Sequence, residues 1–137
     1  MPNTPLEDTA TAVAAEPELI TPGEGAARVE AGALLIDVRS QATRDRVGAL
    51  TGAVVVDRER LPELFGKDSP ERLIQLASTD QEIVVVCGSV DGSRPVAEWL
   101  GANGFGQVAH VEGGFPAWRE AGLPTGAGTE APAEPSA

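Results

Sequence analysis

The sequence predicts an α/β fold, a mainly parallel central sheet of about five strands with helices on both faces. Two observations carry this. Four short runs, LLIDV (34–38), VVV (54–56), IVVVC (83–87) and VAHV (108–111), are continuously apolar rather than alternating, as in strands covered on both sides. Between them lie stretches with helix start and stop signals, and such strand–helix alternation builds a parallel, doubly covered sheet.

The elements follow in order. Thr21-Pro22-Gly23-Glu24 opens a helix, with Thr as N-cap, Pro at the first helical position and Glu in the capping-box place, and Ala31-Gly32 closes it. After the first apolar run comes a helical candidate at 40–47, and after the second another at 59–66. Pro70 to Ser78, capped by Ser69, is the next. The third run leads to a helix from Pro95 to Asn103, stopped by Gly104, and the fourth to one from Phe115 to Ala121, stopped by Gly122. Gly113-Gly114 forms a tight turn ahead of that last helix. Residues 17–124 make one domain. The acidic Ala/Thr/Pro stretch 1–16 and the segment 125–137, TGAGTEAPAEPSA, lack apolar periodicity and are expected to be flexible tails.

The net charge of -11 argues against nucleic acid and anionic membranes as partners, since both need a basic face. Much of the excess is terminal: residues 21–124 hold 15 acids against all ten bases. A small anion therefore stays admissible, because oriented backbone N–H groups bind anions locally. One cysteine excludes an internal disulfide and fits a reducing cytoplasm. No apolar run nears the roughly 18 residues of a membrane span, and the acidic N-terminus has no signal-peptide pattern.

Cys87 ends the most apolar strand, and ligands in open α/β sheets bind beyond the carboxyl ends of strands. The following Gly88, Ser89, Val90, Asp91, Gly92, Ser93 and Arg94 form a small polar stretch. Its successive N–H groups can turn inward as an anion cradle, and the helix behind it adds its positive end. Such surroundings favour an anionic sulfur. The alternative is a cysteine packed as a small apolar residue.

Other residues carry weaker signals. Asp37 and Arg39 flank Val38 and share one direction, as an ion pair fastening the loop or as a substrate contact. Arg94 at a helix start opposes the dipole and so calls for a nearby anion. His110 could in principle activate a thiol but reads better as a half-buried strand residue, and Trp99 and Trp118 read as core. The arginines at 44, 46, 58 and 60 read as solvated surface, with Arg58 or Arg60 placed to reach the pocket.

IDVR (36–39), TGAVVVDRERL (51–61), the strand–cysteine–loop at 83–94 and VEGGFPAWREAGLP (111–124) together resemble a single rhodanese domain in order and spacing, over about 105 of the 137 residues. The resemblance implies a sulfurtransferase. Cys87 takes a sulfane sulfur from thiosulfate or a related donor, becomes a persulfide, and passes the sulfur to cyanide, a thiol or an acceptor protein, with neither metal nor organic cofactor. Two other functions fit the scaffold: a non-catalytic sulfur carrier, and phosphatase or arsenate-reductase chemistry. One departure stands out. Rhodanese loops commonly set four residues between cysteine and arginine, whereas six separate Cys87 from Arg94. Either the loop is widened for a larger substrate, or the cradle closes at Gly92. Asp91 inside it would repel anions unless turned outward.

Overall fold

The computed structural model describes residues 17–66, 68–73, 76, 80–88 and 90–126, the side chains of Val90 and Asp91 excepted. Five strands, β1 (Glu18–Ile20), β2 (Leu34–Asp37), β3 (Val54–Val55), β4 (Ile83–Val86) and β5 (Val108–Val111), form one parallel sheet in the order β1-β5-β4-β2-β3. The helices are α1 (Pro22–Glu30), α2 (Gln41–Val47), α3 (Leu61–Phe65), α4 (Val90–Ala102) and α5 (Gly114–Glu120), and a 3-10 turn at Arg58–Arg60 precedes α3.

Why the strands read as unbroken apolar runs is visible in where alternate side chains go. Leu34, Ile36, Ile83 and Val85 point into one core with Val96, Ala97 and Leu100 of α4 and with Leu61 and Phe65. Leu35, Val84, Val86, Ala109 and Val111 point into the other with Ile20, Phe115 and Trp118. Period-two alternation thus feeds two cores, and neither face of β4 meets water. Each fully buried Val or Ile contributes roughly 1.5–3 kcal/mol. That anchors the strand end from which Cys87 emerges.

Register sets the site's position. Asp37 pairs with Val86 and also with Val55, so β2, β3 and β4 end level and their following loops open on the same edge. Thr21 caps α1 by accepting from the Glu24 N–H at 3.1 Å, as the sequence implies. Arg28 on α1 then holds Glu18, Glu24 and Glu82 at 2.8, 3.0 and 2.9 Å, tying β1 and the entry to β4 together. Its hydrogen bond holds the Glu18 carboxyl below the ordinary 4.5 against an opposing desolvation, with a smaller contribution from its charge.

The structure departs from the sequence reading in three places. Strand β1 escaped it because ELI is only three residues long beside acids. Residues 70–73 form turns rather than the start of a helix; Ser69 spends its hydroxyl on the Glu63 carbonyl and the Glu71 N–H, and the remainder of that candidate lies partly outside the described residues. Helix α4 begins at Val90, five residues before Pro95. Its buried stripe is Ser93, Val96, Ala97 and Leu100, spaced as one helix face, and it opens with a serine that an apolar pattern does not count. The expected tail 1–16 and residues 127–137 of the expected tail 125–137 lie outside the described residues. Thr125 and Gly126 pair with Leu50 and Ala49.

Candidate active site

Cys87 follows β4 directly, and its backbone is fixed from two sides. Val38 N–H donates to the Val86 carbonyl at 3.0 Å, and Phe115 N–H to the Cys87 carbonyl at 2.7 Å. The second bond depends on Gly113 and Gly114, whose positive φ values of 77° and 62° make the turn into α5 that the sequence implies. Half-buried, the thiol lies on the wall of an open cavity of about 320 Å³ lined by Val38, Arg39, Ser40, Thr43, Arg58, Gly88 and Gly92.

Arg58 supplies the charge. From the 3-10 turn its Nη2 donates to Cys87 Sγ at 3.2 Å and to the Gly92 carbonyl at 2.7 Å, bridging the sulfur and the first turn of α4. Gly92 has to be glycine: a Cβ there would sit 2.5 Å from Cys87 Sγ and 3.5 Å from Arg58 Nη2. Pro95 has no N–H for the carbonyl four residues back, so the first turn of α4 lacks one helical bond.

Asp37 and Arg39 form a buried ion pair, each side chain 1% exposed. Arg39 donates Nε to Oδ1 at 2.9 Å and Nη2 to Oδ2 at 2.7 Å, its backbone N–H also reaches Oδ1, and its guanidinium lies 3.9 Å over the Phe115 ring. Arg44 hydrogen-bonds the Arg39 carbonyl. The pair braces the β2–α2 loop, and Arg39 also lines the cavity. An ion pair so desolvated adds little net stability.

The seven expected cradle residues separate. Gly88 and Gly92 line the cavity with Cys87. Ser89 lies outside the described residues, and Val90 and Asp91 open α4. Ser93 turns away: its hydroxyl is fully buried against His110 Nδ1 at 2.8 Å, which clamps α4 to β5 beneath the site. Arg94 is half-buried on α4 and outside the cavity wall. Gly92 comes close to Cys87 Sγ and its carbonyl accepts from Arg58. His110 is wholly buried rather than half-buried, Trp118 is core, and Trp99 packs at the core's edge. Ser40 and Thr43 carried no site signal in the sequence, where they fall at the start of the helical candidate 40–47; Ser40 caps α2, accepting from Thr43 N–H at 3.1 Å. Among the described residues no His, Cys, Asp and Glu cluster suits a metal, and no helix is long and apolar enough to cross a membrane.

A strand-end cysteine facing a glycine of the next helix, in a five-stranded parallel sheet with this order, defines a class. Residues 21–121 match the family model of the Rhodanese-like domain, and the chain belongs to that family. Among curated relatives it is similar to the thiosulfate sulfurtransferase GlpE of Pseudomonas fluorescens strain SBW25, 32% identical over 100 residues that cover 73% of this chain and 83% of that one. The GlpE of Pseudomonas fluorescens strain Pf0-1 is 33% identical over the same coverage. In structure it is similar to a Rhodopseudomonas palustris CGA009 protein of unknown function described as a possible tyrosine phosphatase. That protein has TM-score 0.69 and 29% identity, covering 80% of this chain and 84% of that one. The polysulfide-sulfur transferase homodimer of Wolinella succinogenes shares the fold, with TM-score 0.65 at 22% identity and coverage of 80% and 77%.

Proposed function

We propose that this chain is a rhodanese-type sulfurtransferase that carries sulfane sulfur on Cys87. The observation that supports this most is the Arg58 guanidinium 3.2 Å from Cys87 Sγ at an open cavity. A guanidinium at this distance can pair with negative charge on the sulfur as the reaction proceeds. In the first half-reaction the Cys87 thiolate attacks the outer sulfur of thiosulfate. A bond forms between Sγ and that sulfur, the thiosulfate S–S bond breaks, and sulfite leaves with the electron pair. In the second, cyanide attacks the terminal persulfide sulfur, thiocyanate departs and the Cys87 thiolate is restored. A thiol or an acceptor protein takes the place of cyanide in the same step. Arg58 and the backbone around Gly88 and Gly92 hold the anion in both states, and Asp37 with Arg39 positions the opposite wall.

In this reading residues 17–124 form the working domain, and the thiol, which must be free between turnovers, operates in a reducing cytoplasm. The test is thiocyanate formation from thiosulfate and cyanide by the purified chain and by Cys87→Ser. Cys87→Ser should fold and be inactive, since a serine oxygen forms no persulfide. Hydrolysis of an aryl phosphate, assayed in parallel, would support phosphatase chemistry instead. Single loading with sulfur but no turnover would support the carrier reading.

A further inference from the structure

Resting on the sulfurtransferase reading, we infer that Ser93 and His110 are a positioning pair for the reaction. Their buried hydrogen bond, more than the helix's own bonding, sets the first turn of α4 and so holds the Gly92 carbonyl, and with it Arg58, at Cys87 Sγ. The first observation is that this turn is a poor helix. It reads Val90-Asp91-Gly92-Ser93-Arg94. Valine, aspartate and serine are weak helix formers, and glycine is weaker still. Pro95, next in the chain, has no N–H to give the Asp91 carbonyl. Such a segment stays helical only where tertiary contacts hold it.

The second observation is where those contacts fall. Val96, Ala97 and Leu100 anchor the later turns of α4 in the core. Ahead of Pro95 the buried anchor is Ser93, whose hydroxyl meets His110 Nδ1 at 2.8 Å, both residues being 0% exposed. His110 on β5 pairs with Val85, two residues before Cys87, so the bond joins the helix start to the part of the sheet that carries the sulfur. Ser93 faces the sheet while its neighbour Gly92 faces the sulfur, so close that an added Cβ would lie 2.5 Å from Sγ. The Gly92 carbonyl accepts from Arg58 Nη2 at 2.7 Å, and the same nitrogen donates to Sγ at 3.2 Å. A buried hydrogen bond is directional, and it fixes the rotation of a turn that apolar packing alone leaves loose. Neither Ser93 nor His110 lines the cavity; both act through Gly92.

The experiment compares Ser93→Ala, His110→Leu, the two combined, and His110→Asn, whose short amide reaches the place of Nδ1. Each is measured by kcat/KM for thiocyanate formation, by amide hydrogen exchange across residues 90–94, and by thermal melting. Each single apolar variant should lose about tenfold or more in kcat/KM and exchange faster in this turn, with the later turns of α4 unchanged. The combined variant removes both polar groups, so it should regain the melting temperature the single variants lose and yet stay about tenfold low in kcat/KM. His110→Asn should return to within about threefold of wild type. Activity that recovers together with melting in the combined variant, or His110→Asn no more active than His110→Leu, overturns the inference and leaves the pair a stability element only. Single variants with wild-type exchange in the turn overturn it as well. If wild type transfers no sulfur, the sulfurtransferase reading falls, and exchange across 90–94 in the same variants still decides whether the pair sets the turn.

Discussion

Replacing Gly92 by alanine tests the contact that shapes the site. The new Cβ would lie 2.5 Å from Cys87 Sγ and 3.3 Å from Cys87 Cβ, so the sulfur has to retreat by about 1 Å to reach an ordinary contact of ~3.5 Å. The cheapest escape is rotation of the one Cys87 side-chain torsion to another staggered position, which carries Sγ away from Arg58 Nη2. Stability should change little. Crowding costs about 1–3 kcal/mol, while alanine inside a helix recovers up to about 1 kcal/mol over glycine. Activity should fall far more, because displacing a reacting atom by about 1 Å costs on the order of a hundredfold. Steady-state thiocyanate formation and a thermal melt on the same preparation separate the two effects. An alanine variant with wild-type melting and activity within about threefold of wild type would refute the placement of Gly92 against the sulfur.

Arg58→Ala should lower kcat/KM for thiosulfate by about a hundredfold with an unchanged melting temperature, because the side chain is exposed and its partners are Sγ and a carbonyl; steady-state kinetics and a melt check this. Asp37→Ala strands a buried guanidinium and should cost about 3–5 kcal/mol, a drop in Tm on the order of 10 °C or more, whereas Asp37→Ala combined with Arg39→Met should recover part of it in the same thermal melt. Arg28→Ala removes a three-carboxylate tie worth roughly 1 kcal/mol. Arg28 depresses the folded Glu18 carboxyl, so that contribution is complete above the ordinary 4.5 and is lost as pH falls through the lowered folded value. The gap in urea midpoint between wild type and this variant should hold at neutral pH and narrow in acid.

The parts of the molecule that announce themselves in sequence are those with a one-dimensional signature. LLID, IVVV and VAHV are continuously apolar because two cores claim alternate residues, and Cys87 is conspicuous at the end of the most buried of them. The GG turn and the Thr21 cap are local chemistry and were equally legible. What escaped depends on neighbours distant in the chain. Ser93 is polar yet wholly buried because His110, 17 residues on, accepts or donates at 2.8 Å, so the true start of α4 looked like loop. The meeting of Gly92 with Sγ follows from that earlier helix start. Arg58 was read as near the pocket from its place after β3, but its shared bond to Sγ and the Gly92 carbonyl is a tertiary fact.

The most direct test of the account is the intact mass of the chain after incubation with a sulfane-sulfur donor and removal of excess reagent. Wild type should gain one sulfur atom, mapped to the Cys87 peptide, lost on treatment with reductant or cyanide and absent from Cys87→Ser. An unchanged wild-type mass with thiosulfate, thiosulfonate and persulfide donors alike, in protein whose thiol still reacts with iodoacetamide, would contradict it.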